Sequence, residues 1–460
     1  MTAERKIDGK YQSQYLLEAE SVKEKLDEVS PSFCLAKWFH VSLHIPTGQT
    51  HSCYHPASHH IPIEEVKIDV SALHNTKHKK LQRQAMLLGI RPKECEFCWQ
   101  IEDSGEQLSD RAYRSKDVWE TDIVKEAVTV GATGNAKPRY LEVNFNQACN
   151  FKCAYCSPHL STEWMDEIKH HGPYQLTDRI HNDISWITNL DNSLSNPYLT
   201  AFWEWLPEIY PTLQTFRMTG GEPLMDKNTF RMFEYIKSNP KYDLQLSITS
   251  NCCPPGNQWA KFIESLGAIT DCVKHFQLFC SLDSWGKQAE YIRNGLNFDT
   301  LTNNVREYLS ISRNNTLTFI ITFNALSYTR IHEYMENILA LRQEFNKTQQ
   351  LIWFDIPPLH SPDYLNPKIL PEMITELERT IQFMNDNKET KATHWKGFKD
   401  FEISKLQRLV DWIQSDNGFD KTTAMANFSK FFDEHDSRRG TKLLETFPEL
   451  TTFYNSCKQL

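Results

Sequence analysis

From about residue 138 the chain alternates short β-rich runs with stretches of helical periodicity, and no other feature constrains its fold as strongly. The runs are "RYLEVNF" (139–145), "LQTFRMT" (213–219), "LQLSITS" (244–250), "HFQLFCSL" (275–282), "LTFIITF" (317–323) and "QLIWFDI" (350–356). Between them lie segments such as "NTFRMFEYIKS" (228–238) and "RIHEYMENILALRQEF" (330–345). Strands separated in this way by helices predict parallel βα units rather than hairpins. Right-handed crossovers would close six such units into a partial α/β barrel.

The unusual residues fall at the C-terminal ends of these strands. Cys149 follows the first and "GGEP" (220–223) the second, while Asn251 follows the third. Ser281 and Asp283 end the fourth, Asn324 follows the fifth, and Pro357-Pro358 follows the sixth. That is the face on which α/β barrels build active sites.

After the first strand comes "NQACNFKCAYCSPH" (146–159), with Cys149, Cys153 and Cys156 spaced C-x3-C-x2-C. Three thiolates on one loop hold three irons of a [4Fe–4S] cluster and leave the fourth open. A structural zinc site closes its shell with four ligands. The alternatives are a zinc knuckle completed by His159 and a chance cluster of buried thiols.

Composition narrows the classes. The chain has 460 residues, 40% of them apolar, enough for two or three cored domains. Aromatic residues make up 12%, which excludes a disordered chain. A net charge of -9 argues against long nucleic acid as a partner. The one basic stripe, "KHKKLQRQ" (77–84), reads as the solvated face of a helix. The N-terminus lacks the apolar core of a secretory signal, and no apolar run reaches the ~20 residues of a membrane span. A cytoplasmic protein is expected, in which twelve cysteines point to metal ligation before disulfides.

Taken together, the cysteine loop with Tyr155 before its last cysteine, "GGEP", and "SLDS" (281–284) followed by Arg293 in "YIRNG" resemble the radical SAM enzymes. The resemblance covers about residues 138 to 360. It implies a [4Fe–4S] cluster on Cys149, Cys153 and Cys156 whose open iron chelates S-adenosylmethionine. It further implies that Gly220 and Gly221 contact the methionine amino group, with Glu222 supporting the turn. Ser281 and Arg293 would hold the cofactor's polar groups, Tyr155 would contact the adenine region, and Ser250 and Asn251 would bond the ribose. The chemistry implied is one-electron cleavage of the cofactor to a 5′-deoxyadenosyl radical, which removes hydrogen from an unactivated carbon. An electron donor such as flavodoxin or ferredoxin would supply the electron. The substrate expected is a peptide, protein or small molecule. The competing function is a metal-stabilised binding module that has lost catalysis.

A second cysteine set precedes the barrel: Cys34, Cys53, and the C-x2-C pair Cys95 and Cys98. It resembles the twitch domain, the shorter relative of the SPASM auxiliary-cluster domain, here placed before the barrel rather than after it. The resemblance implies a second [4Fe–4S] cluster closed by four cysteines; a four-cysteine zinc site has the same spacing. The expected organisation is a helical extension (1–33), the twitch-like domain (34–115), the barrel (136–360) and a helical C-terminal region (361–460). Other candidates are Cys252 or Cys253 as hydrogen-atom donor against small buried hydrophobes. Asp355 reads as an acid–base group or a strand-end acceptor, and "HSCYHPASHH" (51–60) as loop filler with one outer-shell histidine. The Trp-rich insertion of about 157–210 reads as an apolar lid, and 438–454 as a helix, a break at Pro448 and a docking segment.

Overall fold

The computed structural model describes every residue except 1–3, 8–9, 106–107, 178–182, 185–194, 312–313 and 417. Residues 178–182 and 185–194 of the expected lid lie outside the described residues. The strands are β1 (Glu4–Ile7), β2 (Lys10–Ser13), β3 (His40–His44), β4 (Gln49–His51), β5 (His59–His60), β6 (Tyr140–Asn144) and β7 (Thr215–Thr219). They continue with β8 (Lys241–Ser250), β9 (Val273–Ser281), β10 (Asn315–Ile320) and β11 (Ile352–Asp355). Each of the six expected β runs contains or overlaps one of β6 to β11. The fold class is α/β, of the partial-barrel kind.

The chain divides into two compact units. The first comprises Met1–Asn146, Thr188–Met218 and Asp243–Gln245, and the second the remainder. In the first unit the strand order is β5-β4-β3-β6-β7. β3 lies parallel to β6, pairing His40 with Tyr140 and His44 with Asn144, while β4 and β5 add antiparallel. The alternation in "HVSLH" is the strand signal for β3: Val41 and Leu43 point into the core. Around it Phe33, Trp38, Phe39, Met86 and Trp99 form one apolar cluster that also contains Cys34, Cys95 and Cys98.

The basic stripe corrects the sequence reading. Helix Lys77–Leu87, capped by the Thr76 hydroxyl accepting from Lys79 N, buries Lys79 and Arg83 completely. Four residues apart, they share one face. Lys79 Nζ donates to Thr50 Oγ1 (2.9 Å) and His51 O (3.2 Å). Arg83 donates to Lys37 O and Asn75 Oδ1 (2.9 and 2.8 Å). Enough acceptors exist inside to replace water.

In the second unit the order is β8-β9-β10-β11, with β9, β10 and β11 parallel. Two of the connecting helices start on side-chain caps: Asp226 accepts from Asn228 N (2.6 Å) and Asn297 from Thr300 N (2.8 Å). The C-terminal helices include Ile374–Asp386, Asp400–Gln414 and Lys421–Arg439. Gly440, at φ 65°, ends the preceding helix. Within 438–454 a short helix, Leu443–Thr446, then stops before Pro448, and Thr451–Cys457 follows. Buried Arg342 and Glu402 form a bidentate pair that joins this region to the barrel helices. Among the described residues, no helix is long and apolar enough to cross a membrane.

Candidate active site and cysteine centres

The cysteine loop of the second unit is clamped from several sides by backbone contacts. Lys152 N and Ala154 N donate to Asn294 O and Ile292 O (2.9 and 2.8 Å). Glu222 N donates to Ala148 O at 2.7 Å. A Cβ on Gly221 would stand 2.3 Å from Ala148 O. One on Gly295, at φ 107°, would stand 2.7 Å from Asn150 O. Only glycine lets the end of β7 and the turn after helix Gly286–Ile292 approach this loop so closely. Gly220, at φ 127°, supplies the turn before it.

Glu222 is fully buried and gathers three donors. Oε1 accepts from Ser250 Oγ (2.8 Å) and Leu224 N (3.1 Å), and Oε2 from Asn251 N (2.7 Å). Burial pushes its carboxyl up to about 7 against these bonds. Asn251 in turn donates to Asn150 Oδ1 (2.9 Å), and Asn150 donates to Cys253 O (2.7 Å). Ser250 and Asn251 are thus engaged in holding Glu222 and the loop.

Tyr155, Asp283 and Arg293 form a buried network. Tyr155 OH donates to Asp283 Oδ2 (2.8 Å), and Arg293 Nη1 donates to both oxygens (2.6 and 2.9 Å). Asp283 Oδ1 accepts from Thr322 N at 2.9 Å. Beside this network, Arg293 Nε and the Ser284 hydroxyl have no hydrogen-bond partner among the described residues. Ser281 ends β9 half-buried, opposite Ile320.

Several supporting residues escaped the sequence reading. Trp164 Nε1 donates to Cys153 O (2.7 Å), so the described start of the insertion packs on the loop. Arg439 Nη1 donates to Lys152 O (2.6 Å) while its guanidinium pairs with Glu167. Tyr364 OH donates to Ala154 O (3.2 Å). The C-terminal region, which carries no motif, therefore braces the cysteines. Of the minor candidates, Cys252 is fully buried with φ 58° and its thiol faces Cys280. Cys253 donates to Asn297 O. Asp355 is half-exposed and paired with Lys405 (2.8 Å).

In the first unit Cys34, Cys53, Cys95 and Cys98 line one small cavity with Lys37, His55 and Trp99. The Ser115 hydroxyl donates to Cys34 Sγ (3.8 Å). His55 stacks on Phe97 and bonds Asp110 Oδ2 (2.7 Å). All twelve cysteines are free thiols. Burial pushes Cys156, Cys95 and Cys98 up to about 12 and Cys53 to about 11, and also raises Cys149 and Cys153. Ligation must displace these protons, and a metal does so. Among the described residues, no three Cys, His, Asp or Glu side chains converge on one point as a single ion requires.

An α/β partial barrel with an incomplete three-thiol site at its strand ends defines a class, the radical SAM proteins. The chain resembles that superfamily. No protein-family model matches it. It is similar to the GTP 3',8-cyclase of Campylobacter lari, at 30% identity over 112 residues, 24% of this chain and 27% of that one. With the GTP 3',8-cyclase of Syntrophomonas wolfei it shares 24% identity over 127 residues, 28% and 30% of the two chains. It thus spans less than a third of the length of these curated relatives. Among solved structures, native anSMEcpe with bound AdoMet superposes with TM-score 0.32 and 16% identity, over 53% of this chain and 61% of that one. Streptococcus suis SuiB bound to S-adenosylmethionine gives TM-score 0.37 and 12% identity, over 76% and 69%.

Proposed function

We propose that the protein is a cytoplasmic radical SAM enzyme that oxidatively modifies a peptide, protein or small molecule. The observation that carries this reading is the set of clamps on the Cys149–Cys156 loop, beside a buried Arg293 with one donor open. Cys149, Cys153 and Cys156 would hold a [4Fe–4S] cluster, and Arg293 Nε and the Ser284 hydroxyl would meet the polar groups of S-adenosylmethionine. When bound, cluster and cofactor supply a primary carbon radical that removes hydrogen from substrate. Asp283 and Tyr155 keep Arg293 in place, since a guanidinium anchored on one side presents its remaining N–H in a fixed direction. Glu222 fixes the ends of β7 and β8 against the loop, so the strand-end groups hold their positions through a reaction cycle. Ser281 remains part of the proposed cofactor site. The side chains of Ser250 and Asn251 are already taken up by Glu222, Cys252, Asn150 and Cys253 and would act by holding the strand end in place rather than by bonding the ribose.

Cys34, Cys53, Cys95 and Cys98 would close a second [4Fe–4S] cluster. With no iron left open, it would act as an electron acceptor for the substrate radical rather than as a binding site. A flavodoxin or ferredoxin would reduce the first cluster. The test is anaerobic incubation of reduced protein with S-adenosylmethionine. We expect slow release of 5′-deoxyadenosine from the parent chain. With candidate substrates, Cys95→Ala with Cys98→Ala should spare that release and abolish product. No 5′-deoxyadenosine from iron-loaded parent protein would leave the binding-module alternative standing.

A further inference from the structure

The four-cysteine cavity contains a charge that the motif does not require. Lys37 stands one helical turn after Cys34, on the short helix Ala36–Phe39, and its N–H donates to Cys34 O (3.1 Å). Its side chain is 2% exposed. The backbone is pinned from the other side by Arg83 Nε donating to Lys37 O (2.9 Å). The ammonium pairs with Glu94, whose other oxygen meets His78 Nε2 at 2.7 Å.

The other cations lining this cavity are differently engaged. Arg111 pairs with two carboxylates, Glu102 and Asp27, both at 2.9 Å. Arg114 pairs with Asp117 (2.7 Å) and Asp110 (3.6 Å). Lys37 has one carboxylate, and that carboxylate is shared with His78. A buried ammonium beside three buried thiols and the partly buried Cys53 is costly unless something anionic faces it.

We propose that Lys37 is the buried cation that raises the reduction potential of the auxiliary cluster, with Glu94 attenuating it. The inference rests on the auxiliary-cluster reading given above. Reduction adds one negative charge to a cluster already held by four thiolates. A fixed cation in a dry site stabilises the reduced form more than the oxidised one, and so favours electron acceptance. Lys37 is therefore a positioning charge and takes no part in bond making.

The test uses the full chain reconstituted anaerobically, with Cys149→Ala, Cys153→Ala and Cys156→Ala so that only one cluster reports. Its midpoint potential is followed by EPR during redox titration, alongside iron and zinc content. Lys37→Met should shift the potential to a more negative value, while Lys37→Arg should leave it near the parent. Glu94→Gln should shift it the opposite way, because it unmasks the ammonium. A merely structural role would lower iron content without moving the potential in opposite directions. Unshifted potentials in iron-loaded Lys37→Met and Glu94→Gln overturn the inference alone. If Lys37→Met does not fold, Glu94→Gln decides: a raised potential supports the assignment and an unchanged one overturns it. Zinc in place of iron in the parent overturns both this inference and the auxiliary-cluster reading.

Discussion

In the second unit a buried carboxylate organises the cysteines, whereas in the first unit buried cations surround them. Glu222 gathers two backbone N–H groups and a hydroxyl at the ends of β7 and β8, and its own N–H holds the cysteine loop. Lys37 and Arg111 instead line the first unit's cysteine cavity, Lys37 paired with Glu94 and Arg111 with Glu102 and Asp27. The difference matches the coordination expected of each site. In the proposed reading an open three-thiol site would receive a zwitterionic cofactor, so its scaffold could be neutral or acidic while Arg293 is kept for the ligand. A closed four-thiol site receives nothing further, and its excess negative charge must be met by the protein itself.

The sharpest way to break the comparison is to remove one site and ask whether the other survives. Cys149→Ala, Cys153→Ala and Cys156→Ala should abolish cofactor cleavage outright. Two four-iron clusters correspond to about eight irons, of which the triple variant should lose half. Loss of all iron, or none, would show that the two sites are not independent centres.

Next in size is the brace on the cysteine loop. Arg439 is fully buried and bonds both Glu167 and Lys152 O. Glu167 is held down at about 2, against its burial, chiefly by that guanidinium. Arg439→Met should cost ~3 kcal/mol in urea denaturation, the scale for breaking a buried pair. The auxiliary cysteines should keep their iron in that variant, since their supports all belong to the first unit. A change below ~0.5 kcal/mol, the range of ordinary surface substitutions, would mean that Arg439 does not brace the loop.

Smaller still is the effect on cofactor binding. Arg293→Ala removes a charge-assisted donor worth ~1.5–3 kcal/mol, which corresponds to roughly tenfold to hundredfold weaker binding of S-adenosylmethionine. Isothermal titration of the reduced, substrate-free protein reads this directly. An unchanged Kd would remove Arg293 from the site and leave it a partner of Asp283 and Tyr155 only.

How much of this was legible beforehand depends on how far apart the partners lie in the chain. Strands β6 to β11 and their helices show in the sequence because period and punctuation are local. The two cysteine sets show because their spacings are short and their side chains are the chemistry. Arg439 and Lys152 are separated by 287 positions, and the acceptor is a backbone carbonyl, which any residue supplies. Trp164 and Tyr364 act on carbonyls of the same loop and leave equally little trace. "KHKKLQRQ" misleads for a related reason. Whether Lys79 and Arg83 face water depends on acceptors at Thr50, His51, Asn75 and Lys37, none of which belongs to their helix.

The opposite charges predict opposite responses to pH in the metal-free protein. Burial holds His40 down at about 3 and His51 at about 4, so both are neutral in the folded first unit. Unfolding frees them to bind protons at the ordinary value of 6.5. Below that pH the unfolded chain holds more protons than the folded one. Stability from this pair is therefore present above pH 6.5 and is lost as pH falls towards 4. Glu222 runs the other way. Its folded value is raised to about 7 from 4.5, so between these limits the folded state binds the extra proton. Stability around β7 and β8 should fall as pH rises from 4.5 through 7. Hydrogen exchange corrected for its intrinsic pH dependence separates the two, with peptides over 40–51 reporting one region and peptides over 219–224 the other. We expect protection of 40–51 to drop on acidification while that of 219–224 grows. Glu222→Gln should flatten the second profile and leave the first unchanged. If both segments lose protection together on acidification, the contrast between the two scaffolds does not govern their stability.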